Sequence, residues 1–396
     1  MKTNQYKDRT NIYSPSDTSI AFILALIVPQ ILMVLIYLFF GKSAAYNVLV
    51  ASIVPQISFL AVFFYVSEKR KVNYKLANQI KFKLNIWVLL LVIAIGVICI
   101  FGFTPLTSLF DYITYTWGYK GNIGDSINVS TFWGFFAAIF HVALLPAICE
   151  ELIFRGIITN GLKKYGTITA VVLSAVLFAL MHQNLQQLIY QLFLGGVMAF
   201  VVIKAGSIIY TMILHFFNNF TILLLAHLSN EAAIDYSDPK YAEYYSNAWN
   251  IIWPILLVIA TIGATIGLLF LINYIVKKQN KKQAQKLVVT GAEDRSNLDG
   301  SKNYSVVVSE SEISKFKEND VKNKEKHQNN SENQDKNENF QQNNKNQSAV
   351  GKVFGAVSDA LNESDERTRF YQNPFIISAI VIGIIFWVLT VVSLFK

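Results

Sequence analysis

One stretch of this 396-residue chain reads PAICEELIFRGI, with adjacent carboxylates Glu150 and Glu151 and with Arg155 four residues after the second. Neighbours on a helix point about 100° apart, so the two carboxylates cannot share one environment. Glu151 and Arg155, at i and i+4, can pair along one face. Glu150 is left to point elsewhere, and Pro146, four residues before it, loosens the helix where a pocket could open. Two more polar sets follow. His182 stands in FALMHQN with Phe178 one turn before it, and His215 stands in LHFFNNF with Asn219 one turn after it. An imidazole and a carboxamide on one face of an apolar helix call for a polar cavity shared with other helices. A buried glutamate can take a proton from water, and preorganised donors such as His215 and Asn219 can hold a developing oxyanion. Alternatively Glu150, His182 and His215 could ligate zinc, with water completing the sphere. Either way the chemistry is hydrolysis of a carbonyl compound.

Membrane helices must position these groups. The chain is 53% hydrophobic and only 15% charged, with a mean hydropathy of +0.38. Soluble domains are about one quarter charged, so that class is excluded. Apolar runs of about the ~20 residues that cross ~30 Å of hydrocarbon recur along the sequence. They predict spans at 19–40, 45–66, 84–103, 131–149, 167–183, 186–203, 207–228, 251–276 and 375–395. The fold class is therefore all-α: a polytopic transmembrane helical bundle of about nine spans. Ionisable groups inside spans are functional by default, and 131–228 concentrates them, with His141, Lys204 and Asn218 joining those above. Only two cysteines occur, Cys99 and Cys149, which excludes a disulfide framework or zinc finger. Cys149, at an apolar helix end, is a poor nucleophile.

Charge sets the expected sidedness. Residues 277–374 hold 17 Lys/Arg against 15 Asp/Glu, and the other 298 residues hold 17 against 11. Loops 67–83 and 150–166 and the start of the 277–374 segment are basic, whereas 104–130 and 229–250 are acidic. With nine spans and a cytoplasmic N-terminus, every basic loop falls inside and both acidic loops fall outside. No basic face on a folded domain suggests a nucleic-acid partner; the partners expected are the lipid bilayer and a membrane-embedded or membrane-associated peptide or protein. The chain divides into a transmembrane extension (1–130), a core (131–228), an external acidic loop with the eighth span (229–276), a polar cytoplasmic segment (277–374) and a last helix (375–396). The polar segment is expected to be disordered, with Val350, Phe354, Val357 and Leu361 at the spacing of a short amphipathic helix. The pentapeptide IVPQI occurs at 27–31 and 53–57, with a proline in each expected to kink its span.

EExxxR (Glu150, Glu151, Arg155), FxxxH (Phe178, His182) and HxxxN (His215, Asn219), in that order on successive membrane helices, resemble the three motifs of the CPBP family. That family comprises intramembrane proteases, among them the type II CAAX prenyl endopeptidases, and bacterial bacteriocin-processing and immunity proteins. The resemblance covers about 131–225 and implies a helical-bundle endopeptidase with its site in a cavity open toward the cytoplasm. By motif position, Glu150 would activate water, His182 would help hold it, and His215 and Asn219 would stabilise the oxyanion. Glu151, Arg155 and Phe178 would support the site. The family is described both as metal-dependent and as glutamate-type, so zinc on Glu150, His182 and His215 stays open. For His182, at the outer end of span five, to meet Glu150, spans five and six must be tilted, broken or re-entrant. The Asn- and Lys-rich composition suggests a bacterial plasma membrane, where a leader-bearing or membrane-associated peptide is the expected substrate. The alternative is a non-catalytic immunity or scaffold protein of the same fold.

Overall fold

The computed structural model describes residues 12–45, 47–119, 129–229, 236–293 and 370–395, the side chains of 281–293 excepted. Ten main helices follow in chain order, and no β-strand occurs among the described residues. Helix α1 is Pro15–Phe40, α2 Val48–Arg70, α3 Ile86–Thr116, α4 the continuous helical run Phe132–Tyr165, and α5 Thr167–Met181. Then come α6 Leu188–Ala205, α7 Ile208–Ser229, the short α8 Pro239–Ser246, α9 Ala248–Glu293 and α10 Pro374–Val392. Eight of these are long and apolar enough to cross a membrane.

Local sequence explains the boundaries. Helix α1 starts at a capping box, in which Ser14 and Asp17 satisfy each other's backbone N–H, and Pro15 takes the first turn, where its missing donor costs nothing. Asn47, Asn85 and Asn373 cap α2, α3 and α10 in the same sense. Prolines 29 and 55 lie inside unbroken helices.

Three expectations are corrected. The span predicted at 167–183 is α5, whose fifteen residues reach only about 22 Å, short of the ~30 Å core. It therefore stops short of the full crossing that put His182 at the far side. Glu150 lies fifteen residues from Tyr165, beside the start of α5, so the two residues come level. Second, α3 does not stop at 103 but runs to Thr116. Its last turns are polar and escape a hydropathy reading, yet the helix persists. Third, order enters the 277–374 segment from both sides: α9 runs on to Glu293, and Phe370–Gln372 forms a 3-10 turn before α10. A helix already nucleated in the span propagates cheaply through KKQNKKQAQKL, whose residues other than Asn280 are good helix formers. The remainder, including Val350, Phe354, Val357 and Leu361, lies outside the described residues.

Contacts divide the chain into two units, Met1–Asn273 with Glu363–Lys396, and Tyr274–Asn362. Within the first, α4 is the central strut, packed by α1, α2, α5, α6 and α7. Between Ile153 and Leu162 every residue but Asn160 is buried, and the polar ones, Arg155, Thr159 and Asn160, are all hydrogen-bonded, as a helix enclosed by others requires. Helices α5 and α6 form the most extensive pair. Gly195 allows it: a Cβ there would stand 3.0 Å from the Phe178 ring and 3.3 Å from the Ala175 Cα.

Candidate active site

Helix α4 is not regular where its acidic pair sits. The α-helical segment Leu145–Glu151 is flanked by π-helical turns at Ile139–Leu144 and Leu152–Thr159, a distortion that accumulates at functional positions. Pro146 contributes by having no N–H to offer the carbonyl of Val142. A donor comes from α7 instead: Asn219 Nδ2 donates to the Val142 carbonyl at 3.0 Å.

Glu151 and Arg155 are both wholly buried and pair at 2.8 Å, as their spacing predicts. The guanidinium also donates to the Gly195 carbonyl at 3.3 Å and lies 4.4 Å above the Phe178 ring. The oxygen of Glu151 that meets Arg155 also accepts from His215 Nδ1, at 3.0 Å. This contact defines the geometry of the site. With its Nδ1 proton fixed on Glu151, the imidazole presents Nε2 on its other side. There it faces Glu150 Oε2 at 4.0 Å.

Glu150 is held by one oxygen. Its Oε1 accepts from Gln56 Nε2 of α2 at 3.0 Å, while Oε2 is buried with no hydrogen-bond partner. A gap of 4.0 Å is too long for a direct bond and suits an oxygen bound to both sides. His182 stands within electrostatic reach of Glu150, His215 and Arg155. It donates Nδ1–H to the Phe178 carbonyl at 2.8 Å, leaving Nε2 as an acceptor. The Phe178 ring centroid lies 4.7 Å from that of His182 and 6.1 Å from that of His215, so this ring spaces the two imidazoles.

Asn219 belongs to an amide ladder. The Tyr190 hydroxyl of α6 donates to Asn218 Oδ1, Asn218 Nδ2 donates to Asn219 Oδ1 at 3.0 Å, and Asn219 passes its own bond to Val142. One Asn219 N–H remains for a ligand. His141 takes no part in the cluster; its Nδ1 meets Ser52 Oγ at 2.9 Å. Lys204 sits over the Phe200 ring at the end of α6. Cys149 is a buried free thiol.

The zinc reading does not fit. Among the described residues no three His, Cys, Asp or Glu side chains converge as a metal set. The misfit is one of spacing alone, because the bonds to Gln56, Glu151 and the Phe178 carbonyl leave Glu150 Oε2 and both Nε2 atoms uncommitted. Sequence reasoning missed Gln56, Tyr190 and Thr211, a buried residue of α7 whose hydroxyl donates to the Ile208 carbonyl at 2.8 Å. A signal existed for Gln56, since it is the amide of the second IVPQI; its counterpart Gln30 is exposed.

Fold and site together define a multi-pass membrane protein whose helices enclose a carboxylate–imidazole cluster. Residues 132–221 match the family model of the Rce1-like type II CAAX prenyl endopeptidases and so bear out the resemblance to the CPBP family read from the motifs. All seven motif residues, from Glu150 to Asn219, lie inside the match. No curated protein matches the chain, and no solved structure does.

Proposed function

We propose that the chain is an intramembrane endopeptidase that hydrolyses a peptide bond in a membrane-associated peptide or protein through a glutamate-activated water. The observation that carries this reading is Glu150 Oε2: buried, without a partner, and opposite His215 Nε2 at 4.0 Å. A water between them donates one proton to Glu150, and its oxygen attacks the scissile carbonyl carbon. The C=O electrons move to the oxygen, where the imidazolium form of His215 and the free N–H of Asn219 stabilise the negative charge. Glu151 holds that imidazolium, as the buried carboxylate does in a catalytic triad. His182 Nε2 accepts the water's second proton as a hydrogen bond. Glu150 then delivers its proton to the leaving nitrogen as the C–N bond breaks.

The substrate expected is a leader-bearing or membrane-associated peptide, in a bacterial plasma membrane with the basic loops and the N-terminus in the cytoplasm. Purified wild type and Glu150→Gln, tested in detergent against quenched membrane-peptide substrates, decide the matter. Turnover lost by at least a hundredfold in the variant supports the assignment. Equal turnover in both removes Glu150 from the chemistry, and a correctly folded wild type that cleaves nothing favours the non-catalytic immunity or scaffold role.

A further inference from the structure

A further carboxylate, on the polar last turns of α3, is used by nothing above. Asp111 lies near the end of α3, five residues before its last residue. Its Oδ1 is buried and has no hydrogen-bond partner, and among the described residues no cation pairs with it. It lines a 330 Å³ cavity together with Thr104 and Thr107 of α3, Asn184 and Gln187 of the α5–α6 connection, and Tyr190 of α6. That volume is at the lower end for a small-ligand site. The lining also explains how α5 can end inside the membrane. Irregular backbone at that depth needs protein or a wet cavity beside it.

A buried carboxylate oxygen with no partner, facing a cavity of neutral polar and apolar groups, favours a cation beside it. Aromatic faces add to this, since Tyr112 stacks on Tyr245 at 4.5 Å between ring centroids next to Asp111 in the chain. Tyr236 and Tyr245 feel the same carboxylate. Burial first and then the Asp111 charge push the Tyr236 phenol up; burial, Tyr244 and Asp111 push Tyr245 up to about 12. The cavity also connects with the catalytic groups. Tyr190, in its wall, donates to Asn218, which donates to Asn219, so two hydrogen bonds separate the pocket from the amide that faces the oxyanion. An extended peptide advances ~3.3 Å per residue, so a side chain a few residues from the scissile bond could reach Asp111.

We infer that this cavity is a specificity subsite, in which Asp111 takes a lysine or arginine side chain of the peptide substrate. The identity of the ligand as a peptide rests on the endopeptidase reading. The test separates the two by measuring binding without turnover. The full chain carrying Glu150→Ala, in detergent, is titrated with dansylated Ala/Leu dodecapeptides bearing one central Lys, Gln or Glu. The Lys peptide should bind about tenfold or more tighter than the Gln peptide, and the Glu peptide weakest. Adding Asp111→Asn should erase the difference; adding Asp111→Glu, which keeps the charge, should retain it and shows that the fold tolerates a change there. Equal binding of the three peptides, absence of binding included, overturns the inference. So does a Lys preference that survives Asp111→Asn. Failure of the protease reading shows separately, as absence of cleavage by the wild-type chain.

Discussion

Arg155 and Glu151 make the strongest quantitative case in the molecule. Both side chains are 0% exposed, so neither charge has water to fall back on. Arg155→Met leaves a buried carboxylate with only His215, and Glu151→Gln leaves a buried guanidinium with one carbonyl and a ring face. Breaking one partner of such a pair costs about 3–5 kcal/mol. Making both changes removes both charges, while an amide at position 151 can still accept from His215 Nδ1, so the double variant should lose only about 1–2 kcal/mol. The coupling between the sites is then about 4 kcal/mol or more, against the ~0.2–1 kcal/mol of an exposed pair. Chemical denaturation of the four proteins in one detergent measures it. Activity should part company with stability: the double variant folds, yet its turnover falls at least a hundredfold, because a neutral amide no longer supports the His215 imidazolium. Coupling below about 0.5 kcal/mol, or a double variant with wild-type turnover, refutes the reasoning.

Gln56→Leu removes the donor to Glu150 Oε1 and should lower kcat about tenfold with KM and folding kept; an unchanged kcat would mean that Gln56 does not position the base. Gly195→Val drives a side chain into Phe178 and the α5 backbone, and should cost about 1–3 kcal/mol in stability. Gly196→Ala meets only ordinary contacts, the nearest at 3.6 Å from the Ala175 Cβ, and should fold as wild type does; the reverse ranking in thermal denaturation would contradict the packing described. Because the imidazoles and Glu150 do not converge on a metal position, 1,10-phenanthroline should leave turnover unchanged, and a loss restored by added zinc would overturn the metal-free mechanism.

What could be read from the sequence followed from local geometry. The Glu151–Arg155 pair, the adjacency of Phe178 to His182 and the shared face of His215 and Asn219 are consequences of helical period alone. The bond from His215 to Glu151 spans 64 residues and depends on how α7 lies against α4, which periodicity does not encode. Gln56 belongs to a helix outside the motif-bearing core and was visible only as an amide in an apolar run. Asp111 was counted as a loop charge because hydropathy falls after Phe103, although the backbone stays helical for three more turns. Hydropathy reports where lipid ends; the helix ends elsewhere.

The shortness of α5 has a consequence beyond the site. Val172 on this helix is 53% exposed, so α5 presents apolar surface outward over only about 22 Å. A bilayer of ordinary thickness exceeds that flank by several ångströms, and thinning beside it costs fractions of a kcal/mol per ångström. The protein would then carry its own dimple in the lipid. Lipids with shorter acyl chains relieve the deformation, so reconstituted turnover should rise as the host bilayer thins, and the same preference would sort the chain toward the thinner regions of a mixed membrane.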